Sequence, residues 1–358
     1  MNESRHAPAS RPEIDHGVGN YRVAIVGAAT LKGKELADVL SERNFPRRDV
    51  KLLDDDESLG QLEAVGDEVS FVQAVRPEHF ENVDFAFFAS DENFTRKHWQ
   101  MAQRAGSVIV DLSFGLENEP GASLRSPWVE RQLGKTPLPE LQPAPVVVAH
   151  AASVVLGLVI LRAQQAGTIR SLAATLYQPA SEQGRRGMDE LHEQTVNLLS
   201  FHDLPKDVFD AQIAFNLLVR YGDKSTLKLD NVERRVIENF KRITAGQAFL
   251  PALAIVQAPI FHGHAFSLYI EMEQTVSVGD MAQALTGEHV TVTRLAEEAP
   301  NNVAVAGESD ILLTVRRDSN RQEGLWIWAA ADNLRVAASN AVECAEGMAA
   351  ARPRGHIQ

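Results

Sequence analysis

The sequence predicts an α/β chain. Its N-terminal part is a Rossmann-like, doubly wound domain, and an α+β domain with a mainly antiparallel sheet follows. Three observations carry this. Short apolar runs alternate with stretches of helical spacing over the first third of the chain. The first run ends in a glycine, Gly27, where a strand would turn into a helix. Beyond residue 148 the strand candidates lengthen and the alternation with helices is lost.

Taken in order, Tyr21–Gly27 reads as the first strand, and Leu31–Arg43 as a helix with Leu36, Val39 and Leu40 on one face. Strands follow at Val50–Leu53, Val69–Val72, Phe85–Ala89 and Ser107–Asp111, with a helix at Phe94–Arg104. Such alternation implies a parallel sheet that binds ligands at the carboxyl ends of its strands. From Glu117 to Pro145, Pro, Gly and charge dominate, which reads as a long connection. Val146–Val155 has the pattern of a strand and then a helix start. Strands are expected at Ile169–Gln178, Ala252–Ala258, Ala265–Glu273 and Ile311–Arg316, and helices at Gly187–Leu199 and Leu227–Arg242. Ala331–Met348 reads as a closing helix of small apolar residues. The expected organisation is a polar, disordered tail over 1–20, domains over 21–148 and 149–330, and a helix over 331–350 that returns to the first domain.

With 358 residues the chain can bury the cores of two domains. A hydrophobic fraction of 44% and a charged fraction of 23% are those of a globular protein. The net charge of −13 repels phosphate backbones, which argues against a nucleic-acid partner. The one cysteine, Cys344, excludes an intramolecular disulfide and a Cys-based zinc site, and fits a reducing compartment. No apolar run approaches the roughly 20 residues that span a bilayer, and the first 20 residues have no signal-peptide core. A cytoplasmic protein without a membrane partner is expected.

The loop Gly27-Ala-Ala-Thr-Leu-Lys-Gly33 keeps the outer glycines of a dinucleotide-binding turn. The middle glycine, where backbone meets pyrophosphate, is replaced by Thr30, whose Cβ crowds the phosphates. The second strand ends in Leu53-Asp-Asp-Asp-Glu-Ser58, which reads as a solvated acidic turn that repels a 2′-phosphate. Gly27 and Gly33 therefore form a degenerate cofactor loop. No cofactor is expected, and NADP and NAD are disfavoured options.

Over residues 21–350 the chain resembles the aspartate-semialdehyde dehydrogenase family, and within it the cysteine-less, Usg-type paralogues. The resemblance rests on Val23-Ala-Ile-Val-Gly27 with Gly33, Glu42-Arg-Asn-Phe-Pro46, Tyr177-Gln178, Gln212-Ile-Ala-Phe-Asn216, Pro259-Ile-Phe-His-Gly-His264 and Ala331-Asp-Asn-Leu-Arg335. It implies a cysteine nucleophile within Asn-Pro-Asn-Cys, NADP as hydride acceptor and phosphate to cleave the thioester. Ala149-His-Ala-Ala-Ser153 puts Ala152 at the cysteine. The phosphate-holding arginine falls on Glu117, and the arginine for the substrate carboxylate falls on Gln257. The base position, His264, is retained, with Gln178 and Lys228 beside it. At cofactor positions the resemblance places Glu57 at an arginine, Asp91-Glu92 at a glycine pair, and Ser181-Glu-Gln-Gly184 at a Ser-Gly-Ala-Gly loop.

Other residues offer no replacement nucleophile. Ser153 next to His264 would make a hydrolase pair, but no nucleophile elbow surrounds it, and Ser153 is expected to cap the following helix. Cys344 reads as a packing residue. The pairs His150/His192 and His262/His264 lack an acid cluster to complete a shell, so no metal is expected. The expectation is a homologue without dehydrogenase activity that binds, regulates or scaffolds. It forms a homodimer through the second domain and has an unidentified protein or small-molecule partner. The alternative is an active NAD(P)-dependent oxidoreductase of amino-acid biosynthesis, with His264 as the proton-transfer group.

Overall fold

The computed structural model describes residues 21–66, 68–135, 144–294 and 299–351. The chain begins with β1 (Tyr21–Val26), α1 (Leu31–Glu42), β2 (Arg47–Asp54), β3 (Leu62–Val65), β4 (Glu68–Phe71), β5 (Gln73–Ala74) and β6 (Phe85–Phe88). There follow α2 (Glu92–Arg104), β7 (Val108–Asp111), β8 (Ser123–Arg125), α3 (Pro127–Gln132) and β9 (Val146–Val148).

Seven strands form the first sheet in the order β5-β2-β1-β6-β7-β9-β8, and every pairing is parallel. Its central strands are apolar throughout because both faces are covered. Val23, Ile25, Phe85 and Phe87 face one way, onto Leu36 and Leu40 of α1. Their neighbours Ala24, Val26, Ala86 and Phe88 face the other way, onto Trp99 and Ala102 of α2.

The second half contains α4 (Ala151–Ala166), β10 (Ile169–Gln178), α5 (Gly184–Ser200), α6 (Leu229–Ile243), β11 (Ala252–Gln257) and β12 (His264–Met272). It continues with α7 (Val278–Leu285), β13 (Val290–Val292), β14 (Ile311–Arg317), β15 (Gly324–Ala331) and α8 (Asn333–Ala351). Its sheet runs β11-β10-β12-β15-β14-β13. The β10–β12, β12–β15 and β14–β15 pairings are antiparallel, and β10–β11 and β13–β14 are parallel. The apolar helix α4 is buried against this sheet together with Val236 and Phe240 of α6. Ala338, Ala341, Val342 and Ala345 of α8 pack on α1 in the core of the first sheet. Their small side chains let the two helices approach. Among the described residues no helix is long and apolar enough to cross a membrane.

Three expectations change. Val69–Val72 is not a strand of the parallel sheet. Its residues belong mainly to β4, which pairs antiparallel with β3 in a separate hairpin, because the chain must turn back before β5 can reach β2. The connection from Glu117 to Pro145 contains β8 and α3, α3 being started by the Ser126 cap and Pro127; residues 136–143 of it lie outside the described ones. The acidic turn is solvated only in part. Asp54 is buried, and its carboxylate accepts from the N–H groups of Ala29 and Asp55. The tail at 1–20 lies outside the described residues.

Candidate functional site

The turn after β1 needs its two glycines for different reasons. Gly27 has φ of +91°, and a Cβ there would lie 2.5 Å from the backbone N of Ser90. A Cβ on Gly33 would lie 2.1 Å from the carbonyl oxygen of Gly27, so α1 could not start so close to the strand. Thr30 caps α1. Its hydroxyl accepts from Gly33 N–H at 3.0 Å and lies 2.7 Å from the Gly27 carbonyl, to which it donates. Asp91 caps α2 in the same way, accepting from the N–H groups of Asn93 and Phe94. The N–H groups of Ala29 and Gly33, which face a phosphate in an open loop of this kind, are thus already bonded to Asp54 and Thr30.

Ala152 lies in the first turn of α4 and is fully buried. The cap of that helix is His150, not Ser153 as expected, because the imidazole reaches back to the Ala152 N–H at 3.2 Å. Ser153 instead donates to the carbonyl of Val236 at 2.8 Å, which takes its hydroxyl away from His264. Since Nδ1 of His150 accepts, its proton in the neutral form sits on Nε2, 3.7 Å from Glu182 Oε2. The other carboxylate oxygen, Oε1, lies 3.0 Å from Nε2 of His264 and accepts from Asn333 Nδ2 at 2.9 Å. The rings of His150 and His264 are stacked with centroids 5.9 Å apart, and Phe114 stacks on the outer side of His150.

Glu182 comes from the short helical turn after β10, and the hydroxyl of Ser181 holds that turn to Asn333 Oδ1 at 3.2 Å. Burial opposes the charge of Glu182, yet His264, His150 and Lys32 together hold its carboxyl well below the ordinary range. Burial lowers His150 to about 4 and also lowers Lys32. What remains between Lys32, Phe114, His150, Glu182 and Asn333 is about 20 Å³, room for one water molecule.

Glu117 lies against α6. Arg235 donates to it at 3.0 Å and to Glu92 at 2.6 Å, and Asn239 donates to its other oxygen. Asn239 also accepts from the backbone N–H of His150, so Glu117 is tied through α6 to the start of α4. Gln257 and Gln178 meet through Tyr221. Gln178 Nε2 donates to the Tyr221 hydroxyl at 3.2 Å, and the hydroxyl donates to Gln257 Oε1 at 2.7 Å. Gln257 Nε2 closes the set on the carbonyls of Gln178 and Ala258. Burial raises the Tyr221 phenol, which stays protonated.

A family model described as "Semialdehyde dehydrogenase, NAD binding domain" matches residues 22–165, and one described as "Semialdehyde dehydrogenase, dimerisation domain" matches residues 160–336. A USG-1 protein homolog of Azotobacter vinelandii is 31% identical over 331 residues, covering 90% of this chain and 96% of that protein. The chain belongs to the semialdehyde dehydrogenase family. An aspartate-semialdehyde dehydrogenase of Rickettsia conorii is 27% identical over 336 residues, covering 91% of this chain and 97% of the other. The solved structure of a probable aspartate-semialdehyde dehydrogenase from Pseudomonas aeruginosa has a TM-score of 0.80 at 28% identity, covering 92% of this chain and 98% of that one. The Rossmann-like parallel sheet and the mixed second sheet are those of the semialdehyde dehydrogenase family.

Within this semialdehyde dehydrogenase fold, His264 reaches the start of α4 through Glu182 and His150, whereas Gln178 and Gln257 share Tyr221. Lys228 is elsewhere: its ammonium points to the carbonyl of Asp223 in an exposed position. Cys344 is buried in α8, where burial raises its thiol. His192 is exposed, and among the described residues no group of three or more His, Cys, Asp or Glu is placed to hold a metal. Sequence reasoning missed Lys32, Asn333, Tyr221 and Arg235, and did not bring His150 to His264. The signal available for Glu182 was its charge in Ser181-Glu-Gln-Gly184, where the resemblance implies a loop of small residues.

Proposed function

We propose that this chain is a non-catalytic member of the semialdehyde dehydrogenase family that acts by binding, as a regulator or scaffold. The observation that carries the reading is the Glu182 carboxylate, seated between His264 and His150 beside a helix start that offers Ala152 in place of a nucleophile. A methyl group cannot attack an aldehyde. His264, the retained base position, faces an anion rather than a substrate, and Gln178 and Gln257 are both bonded to the Tyr221 hydroxyl. At the position read as phosphate-holding, Glu117 presents a carboxylate that is itself paired with Arg235.

The residues at the dinucleotide crevice do not fit NADP or NAD. Thr30 and Asp54 already bond the loop N–H groups, Asp91 caps α2, and the remaining space beside Glu182 is about 20 Å³. The match of residues 22–165 to an NAD-binding domain favours the second reading, an active oxidoreductase. Two measurements decide. Purified protein given aspartate semialdehyde, phosphate and NADP forms no NADPH, and calorimetric titration with NAD or NADP gives no binding heat. Cysteine-independent turnover overturns the proposal; nucleotide binding alone removes its cofactor part. The match of residues 160–336 to the dimerisation domain supports a homodimer built through the second half. The lone cysteine supports a cytoplasmic location.

A further inference from the structure

The β3–β4 hairpin turns its apolar side to solvent. Residues directly opposite in an antiparallel pair share a face, so Leu62 with Phe71 and Ala64 with Val69 line one side. Glu63 with Ser70 and Val65 with Glu68 line the other. The second side is the inner one, since Val65 is buried and Glu63 pairs with Lys34 of α1 at 2.8 Å. The outer side leaves Leu62 60%, Val69 63% and Phe71 62% exposed, with Leu59 of the preceding turn at 47%. A ribbon that packs by one face ordinarily puts polar residues on the other. A contiguous apolar face of this kind marks an interaction site.

Charge decides which partner fits. Asp55, Asp56 and Glu57, in the turn that leads through Leu59 into the hairpin, are exposed, and from Leu52 to Val75 the sequence has no Lys, Arg or His. A second copy would bring the same acidic rim onto itself, and anionic lipid or nucleic acid carries the same sign. The hairpin also lies outside residues 160–336, the part matched to the dimerisation domain. We infer that the outer face of this hairpin docks a basic amphipathic segment of a partner protein, with apolar anchors on Leu62, Val69 and Phe71 and Lys or Arg on the rim acids. The surface is separate from the Glu182 pocket, so peptide binding and turnover are independent readouts.

The test pans a phage-displayed random peptide library against the immobilised full chain and against a Leu62→Ser/Phe71→Ser variant. Selected peptides are expected to interleave Lys or Arg with aromatic or aliphatic residues. One of them, synthesised, should bind the double variant at least about tenfold more weakly and should weaken as salt is raised. An Asp56→Lys/Glu57→Lys variant keeps the apolar face and should lose the same peptide, which preserves the test if the first variant fails to fold. Selection of acidic or uncharged peptides, no selection at all, or equal binding to wild type and both variants overturns the inference. So does sedimentation in which wild type self-associates and the Leu62→Ser/Phe71→Ser variant does not, because the occupant is then a second copy.

Discussion

Oε1 of Glu182 lies 3.0 Å from Nε2 of His264, so the imidazole of the pocket faces a carboxylate of its own chain. The same carboxylate accepts from Asn333 and faces His150, which caps the helix carrying Ala152. An internal anion thus sits where histidines, Asn333 and Lys32 converge.

This arrangement predicts that placing a thiol at position 152 is not enough for turnover. The Ala152→Cys protein should show no NADPH formation, and its buried thiol should react slowly with iodoacetamide. Adding Glu182→Gly removes a nearby negative charge, and alkylation should then speed up about tenfold, the change expected for one unit in thiol pKa. Equal alkylation rates with and without Glu182 would show that the carboxylate does not guard this position.

Acid should destabilise the protein through His150. The unfolded imidazole takes up its proton near 6.5, whereas the folded one does so only at about 4. The unfolded state therefore binds more protons between these values, and stability falls as pH drops from 6.5 to 4, by at most roughly 3 kcal/mol from this group. Glu182, held below the ordinary carboxylate range, acts in the same direction: its contribution is complete above that range and is lost as pH falls toward its folded value. Thermal unfolding of wild type and His150→Asn across this interval should give a flatter profile for the variant between pH 6.5 and 4.

Gly33→Ala should be strongly destabilising although alanine favours helix. The added methyl would sit 2.1 Å from the Gly27 carbonyl oxygen, so α1 must move off the first sheet. A loss of about 1–3 kcal/mol, the ordinary cost of forcing extra atoms into a packed site, is expected in urea unfolding. A change within the error of the midpoint would contradict the close approach.

Glu117 and Arg235 should be energetically coupled. Their contact at 3.0 Å joins the turn after β7 to α6 in a half-buried position. A double-mutant cycle with Glu117→Ala and Arg235→Ala should return a coupling of about 0.5–1 kcal/mol, because Glu92 keeps part of the partnership with Arg235. Strict additivity would remove Glu117 from the set that holds α6 in place.

Much of the first half was legible because its strands are buried on both faces. Phe85–Phe88 and Val108–Asp111 are apolar runs that no exposed segment would carry, and Gly27 marks the turn beyond β1. Val69 and Phe71 misled for the same reason: they are apolar but face solvent, and one-dimensional patterning cannot tell an interaction face from a core face. β8 and α3 were hidden in a stretch rich in Pro and Gly, although Ser126-Pro127 is itself a helix-start signal.

The sequence by itself determined the two-part α/β architecture, the family resemblance and the absence of a thiol at Ala152, since each is written in local residue order. Only the tertiary structure decided what fills the pocket. Glu182, His150, His264, Asn333 and Lys32 come from five separate parts of the chain, and their meeting depends on how the two sheets pack around α4 and α8. Charge neutralisation and desolvation act through space, so no spacing along the sequence could reveal that an acid in one loop answers two histidines and a lysine from elsewhere.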